Sequence, residues 1–167
     1  MEKKFSGKIW VMGDDIDTDT IIPGKRGTIP NVREMATYAF ELYRPEFAST
    51  VQPGDIIVAG KNFGCGSSRE QAPEIIKALK IKCVIAKSYA RIFFRNSINN
   101  GLLLIENSDI QDVVKEGDEI TVTMGESIEK DGQIFPITPL PQNLMDIINA
   151  GGLVKAMQKR NGIIEEG

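Results

Sequence analysis

With 167 residues, 41% of them hydrophobic, the chain is long enough for one domain with its own core and too short for two. Its 20 basic and 23 acidic residues are interspersed around a net charge of −3, so no basic stripe exists to neutralise a run of phosphates, and no nucleic-acid partner is expected. Histidine is absent, and Cys65 and Cys83 are the only cysteines, which excludes Ser-His and Cys-His nucleophile pairs and leaves too few ligands here for a zinc or iron-sulfur site.

Residues 1–6 are polar with no apolar core behind them, and no run of about 18 apolar residues occurs later. No membrane association is therefore expected, and the chain reads as a soluble cytoplasmic protein with reduced thiols. Residues 5–12 alternate apolar with small or charged side chains and predict a first strand. Asp14-Asp15-Ile16-Asp17-Thr18-Asp19-Thr20 follows. A calcium loop would need a central Gly and a closing bidentate Glu; neither is present, which leaves a loop lining a site or a solvated turn.

Two Gly and two Pro within residues 23–30 predict a mobile loop without regular structure. Asn31, with Glu34 after it, predicts a helix N-terminus, and Val32, Met35, Ala36, Ala39, Phe40 and Tyr43 continue it at helical spacing until Pro45. After a turn at Pro53-Gly54, Ile56-Ile57-Val58-Ala59 has the form of a strand buried on both faces of a parallel sheet. A glycine-rich loop, 60–66, precedes Ser67-Ser68-Arg69-Glu70, which has capping-box form and predicts a helix starting at Ser67, with Pro73 early in it. Cys83-Val84-Ile85-Ala86 is a second buried-type strand, completing a strand-loop-helix-strand crossover.

Tyr89, Ile92, Phe93 and Ile98 predict a helix over 88–99 closed by Gly101, and 102–105 a third parallel strand. Ile120, Val122 and Met124 alternate, and Asp131-Gly132 marks a hairpin turn before a strand over 133–137, so the C-terminal strands are antiparallel. Residues 144–150 and 153–159 predict two helical pieces separated by Gly151-Gly152, and the tail from about 161 should fray. The fold class is α/β: one domain over 1–167 with a mainly parallel central sheet, flanking helices and antiparallel C-terminal strands.

Ligands of open parallel sheets bind beyond the carboxyl ends of strands, where the loop 60–68 lies. Gly64, Gly66 and Ser67 allow close backbone approach, and a helix beginning there would present unpaired amides to an anion. Arg69 adds a guanidinium fork suited to a carboxylate or phosphate. The glycine spacing and the missing Lys argue against a P-loop; the bland alternative is that Ser67 and Glu70 only cap a helix. Cys65, between glycines, offers a rival reading as a reactive thiol, while Cys83 reads as core.

Three separated stretches also carry a family resemblance. Asp17-Thr18-Asp19 with Ile21-Ile22-Pro23, then Gly60-Lys61-Asn62-Phe63-Gly64-Cys65-Gly66-Ser67-Ser68-Arg69-Glu70, then Ala86-Lys87-Ser88-Tyr89-Ala90-Arg91-Ile92-Phe93 with Arg95-Asn96 resemble the small subunits of 3-isopropylmalate dehydratase and the C-terminal swivel domain of aconitase, in that family's order. The resemblance implies a swivel-type domain whose sheet curls towards a barrel. It also implies a heteromer, with a higher-order heteromer as an option, in which a large subunit bears a 4Fe-4S cluster and this chain binds no cofactor or metal. By the same resemblance, Ser67 is the base for the carbon-bound proton of a 2-hydroxy di- or tricarboxylic acid, Arg69 holds a carboxylate, Ser68 and Gly66 lie beside it, and Asp19 lines the site.

The loop with Lys25, Arg26 and Thr28 is where the family selects its substrate. Arg26 either faces a third carboxylate, as in homoaconitase-like enzymes, or points to solvent with Thr28 and Ile29 lining the pocket. The sequence therefore points to isopropylmalate isomerisation in leucine biosynthesis, with homoaconitase, a methylmalate or dimethylmalate-type dehydratase, and a non-catalytic carboxylate-binding module as alternatives.

Overall fold

A computed structural model of the chain describes residues 2–161; of the tail expected to fray, 162–167 lie outside the described residues. Strand β1 (Lys4–Val11) leads to the short helix α1 (Thr18–Ile21), a 3-10 turn at Gly24–Arg26, and helices α2 (Val32–Ala36) and α3 (Phe47–Thr50). Next come β2 (Ile56–Ala59), α4 (Gln71–Ala78), β3 (Cys83–Ala86), α5 (Arg91–Asn99), β4 (Leu104–Glu106) and α6 (Ile110–Val113). The chain closes with β5 (Glu119–Thr123), β6 (Ser127–Lys130), β7 (Gln133–Pro136), α7 (Gln142–Ala150) and α8 (Leu153–Arg160).

These strands form one 7-stranded sheet in the order β4-β3-β2-β1-β5-β6-β7. Strands β1 to β4 run parallel, with Ile57 opposite Val84 and Val84 opposite Leu104, while β5, β6 and β7 continue from β1 antiparallel. The continuous apolar runs of β2 and β3 follow from burial on both faces. Ile57, Ala59, Val84 and Ala86 pack beneath α2, α3 and α4, and Ile56, Val58, Cys83 and Ile85 pack on the opposite side with Ile98, Ile110 and Ile148. The α/β class, the parallel centre and the antiparallel C-terminal strands agree with the sequence reading.

Three helix boundaries depart from it. Asn31 caps α2 as expected, accepting from the amides of Arg33 and Glu34, but the helix ends at Ala36 instead of running to Pro45. Phe40 takes φ +57 and donates its amide to the carbonyl of Ile21, which turns its ring fully into the core. Here tertiary burial outweighs helical periodicity. Helix α4 starts at Gln71, so Ser67-Ser68-Arg69-Glu70 forms no capping box, and Glu70 precedes the helix without a side-chain cap.

Pro73 explains this shift. In a helix begun at Ser67 the Pro ring would clash with the carbonyl of Arg69, whereas as the third residue of α4 it replaces an amide that no helix can bond internally. The helix expected from 88 starts at Arg91, which leaves Tyr89 outside it with its hydroxyl 2.7 Å from the carbonyl oxygens of Val84 and Ile105. Ile92, part of the apolar pattern that predicted this helix, is 47% exposed. Helices α3 and α6, four residues each, have no sequence signal strong enough to anticipate.

Candidate active site

The loops after β1, β2 and β3, three neighbours in the sheet, meet at the carboxyl end of the parallel strands. The middle loop, 60–70, is threaded between the other two. On one side Thr18 donates its amide to the carbonyl of Cys65 at 2.9 Å, and Gly64 donates to that of Ile16 at 2.7 Å. On the other side Phe63 bonds to Ser88, and Ala90 to Phe63, each at 3.0 Å. The hydroxyl of Thr18 donates to the carbonyl of Ser67 at 2.8 Å, fixing the backbone where the serine pair begins.

The acidic run is the wall of this loop. Asp14 accepts from the amide of Lys61, Asp15 from the side chain of Asn62, and Asp17 caps α1 through the amide and hydroxyl of Thr20. Asp19 pairs with Arg69, Oδ1 to Nη2, at 2.7 Å. The carboxylates are therefore spread over separate partners, which fits the site-lining reading and not the solvated turn.

Glycine is required at position 64. The residue has φ +84, and a Cβ there would lie 2.1 Å from Cγ of Phe93, so the ring of α5 rests directly on the loop backbone. Gly64→Ala is expected to destabilise the protein by about 2–4 kcal/mol, combining left-handed strain with overpacking. The check is a urea titration: the midpoint should fall at unchanged slope, and a midpoint like wild type would contradict this packing.

Gly66, Ser67, Ser68 and Arg69 border one cavity of about 410 Å³ with Thr18 and Arg91. The amide of Arg69 turns back to the carbonyl of Ser67 at 2.9 Å, leaving both serines exposed. Its guanidinium donates from Nη1 to the carbonyl of Ile22 at 3.1 Å and lies over Gly24, where a Cβ would come 2.8 Å from Nη2. Arg69 thus ties the loop after β2 to the segment after α1. It remains 26% exposed in the side chain, and Asp19 is 60% exposed, so the pair is open to competition from another anion.

The other expected residues fall nearby. Thr28 lines an adjoining hollow that shares Ser68 and Arg69 with the first. Lys25 and Arg26, on the 3-10 turn, border neither space; Arg26 is paired with Glu41 at 3.2 Å and stacked 3.8 Å over the ring of Tyr38. Sequence reasoning did not anticipate Thr18, Arg91, Ile92 and Asn96 on the cavity wall. Their signal lay in the motifs themselves: Thr18 belongs to the first, and Arg91, Ile92 and Asn96 to the third, whose helix start was placed too early. A larger cavity, about 620 Å³, lies between the end of β4 and the segment joining β7 to α7. Of the motif residues only Lys87 borders it, and that side chain is tied to Asp112, so the chemistry favours the smaller space.

The thiol reading of Cys65 finds no support. Burial, and then the carboxylates of Asp17 and Asp15, push its pKa up, and the following helix, whose N-terminus would favour a thiolate, starts only at Gln71. The thiolate fraction at neutral pH is therefore below that of an ordinary thiol. Iodoacetamide labelling, followed by mass spectrometry, is expected to run slower than for free cysteine at neutral pH; faster labelling than free cysteine there would contradict the assignment. Cys83 is fully buried in β3, and burial pushes its thiol up as well.

Residues 16–109 match the aconitase C-terminal domain family. The 3-isopropylmalate dehydratase small subunit of Lachnospira eligens is 68% identical over 163 residues, covering 98% of this chain and 99% of that one. The chain belongs to the 3-isopropylmalate dehydratase small-subunit family. Within it, small subunit 1 of Archaeoglobus fulgidus is 51% identical over 152 residues, covering 89% of this chain and 94% of its own. The crystal structure of the Methanocaldococcus jannaschii 3-isopropylmalate dehydratase chain superposes with a TM-score of 0.90 at 41% identity, covering 96% of each chain. The resemblance read from the three motifs is therefore correct, as is the swivel-type α/β fold, and the small-subunit family name implies a larger partner.

Proposed function

We propose that this chain is the small subunit of a heteromeric hydro-lyase that interconverts 2-isopropylmalate and 3-isopropylmalate by dehydration and rehydration, in the cytoplasm. One observation carries the reading: Ser67, Ser68 and Arg69 border a single open cavity at the carboxyl ends of the parallel strands, beside Asp19, on a chain of this family. The free thiols of Cys65 and Cys83 suit a reducing compartment, and among the described residues no helix is long and apolar enough to cross a membrane.

In this reading Arg69 grips the substrate carboxylate next to the carbon that loses its proton. Neutralising that carboxylate favours the carbanion-like transition state, and a fork does so with directional hydrogen bonds. Ser67 accepts the proton. An alcohol is a weak base in water, so its anionic form requires a nearby guanidinium and exclusion of solvent. Arg69 supplies the first, and a partner seated over the exposed serines supplies the second. Asp19, already on Arg69, orients the fork and yields its place to the incoming carboxylate.

A 4Fe-4S cluster does not fit this chain: Cys83 is buried in a strand, Cys65 sits alone in its loop, and histidine is absent. The cluster that the family's chemistry implies therefore belongs to the large subunit, where it would supply a Lewis acid for the departing hydroxyl. The isopropylmalate reading is favoured over a triacid because Arg26 is committed to Glu41 and Tyr38. The test is anaerobic reconstitution with a cluster-bearing large subunit across a panel of hydroxy diacids and triacids. Activity should require both chains and be highest with isopropylmalate; a pair that prefers homocitrate, or that never becomes active, would overturn the proposal.

A further inference from the structure

The lining of the candidate active site is more cationic than one carboxylate requires. Arg69 and Arg91 are its charged residues and no acid stands among them, although the chain as a whole carries −3. The two differ in their commitments. Arg69 is engaged by Asp19 and by the carbonyl of Ile22, whereas Arg91 forms no ion pair among the described residues. Two guanidiniums border one small cavity and only Arg69 has a carboxylate partner, an arrangement suited to a dianion.

The position of Arg91 is fixed by the same loop that carries Ser67. Ala90 is extended and donates its amide to Phe63 at 3.0 Å, which sets where α5 starts, and Phe93 rests on Gly64. Arg91, the first residue of α5, is thereby held in register with the serine pair by a backbone hydrogen bond before it and a ring contact after it, as a binding group should be. Ile92 beside it is 47% exposed and lines the same space, so an apolar surface adjoins the second cation. A dicarboxylate with an alkyl branch matches that arrangement of two cations and one greasy wall.

Resting on the dehydratase reading, we infer that Arg91 binds the second carboxylate of the diacid, the one that Arg69 does not hold. The test uses the reconstituted pair and competitive inhibition by isopropylsuccinate, a diacid without the hydroxyl, and by its two monoamides. Arg91→Gln should weaken the diacid by about tenfold to a hundredfold, the range for a lost charge-assisted contact, and should act on KM more than on kcat. One monoamide, which already lacks the carboxylate facing Arg91, should inhibit the variant as well as it inhibits wild type. Arg91→Lys should recover part of the loss. An exposed, unpaired side chain predicts unchanged thermal unfolding.

Three results would overturn the assignment. They are an Arg91→Gln pair with wild-type inhibition by the diacid, equal weakening of the diacid and both monoamides, and failure of the variant to join the large subunit. A wild-type pair inactive on isopropylmalate would instead overturn the dehydratase reading itself, so the two failures are told apart.

Discussion

Replacing Arg69 with Gln in the reconstituted pair is expected to lower kcat/KM by about a thousandfold. A fork on a carboxylate in a water-poor site loses two charge-assisted hydrogen bonds, together about 4 kcal/mol, at about 1.4 kcal/mol per decade of rate. Arg69→Lys keeps the charge but loses the planar fork that meets a carboxylate with two parallel hydrogen bonds, so about a hundredfold loss is expected there. Unfolding does not account for these losses. The Arg69–Asp19 pair is partly solvated, and such pairs contribute no more than about 1 kcal/mol. Steady-state kinetics beside a thermal melt separates the two: a large drop in melting temperature with kcat/KM near wild type would contradict the role given to Arg69.

Ser67→Ala is expected to leave subunit association and KM nearly unchanged while kcat falls by about a hundredfold or more, the usual contribution of a positioned acid-base group. The reason is geometric. The carbonyl of Ser67, not its hydroxyl, makes the structural bond to Thr18, and the exposed side chain carries no packing role. Ser67→Thr tests the same point from the other side. It keeps an oxygen but adds a methyl group, so partial activity is expected where Ala gives almost none. A kcat for Ser67→Ala within a few-fold of wild type would remove Ser67 from the proton transfer.

The parts of this fold that were legible in the sequence are those decided by local or near-local physics. Val58 and Val84 sit in apolar runs that only a doubly covered sheet can bury, Asn31 accepts two amides that need an acceptor, and Asp131 with Gly132 turns a tight hairpin. The misreadings occurred where a local pattern competed with something distant. Ser67 to Glu70 has the form of a cap, but Pro73 forces the helix to start later. The periodicity from Val32 to Tyr43 is helical, but the burial of Phe40 against the end of α1 breaks it.

The candidate site shows the same division. The Ser67-Ser68-Arg69 motif was visible as a string and through its family resemblance. The pairing of Arg69 with Asp19, and the arrival of Arg91 at the same cavity, depend on β1, β2 and β3 being neighbours. Spacing along the chain contains no trace of that adjacency. It emerges only when the sheet order brings three loops to one edge.

The central claim is a division of labour, in which this chain moves a carbon-bound proton and its partner removes the hydroxyl. Deuterium incorporation from heavy water into recovered isopropylmalate measures the first half by itself. The wild-type pair should exchange that hydrogen readily, and the Ser67→Ala pair should exchange it at least a hundredfold more slowly while still binding substrate. Exchange at the wild-type rate in the Ser67→Ala pair would contradict the account.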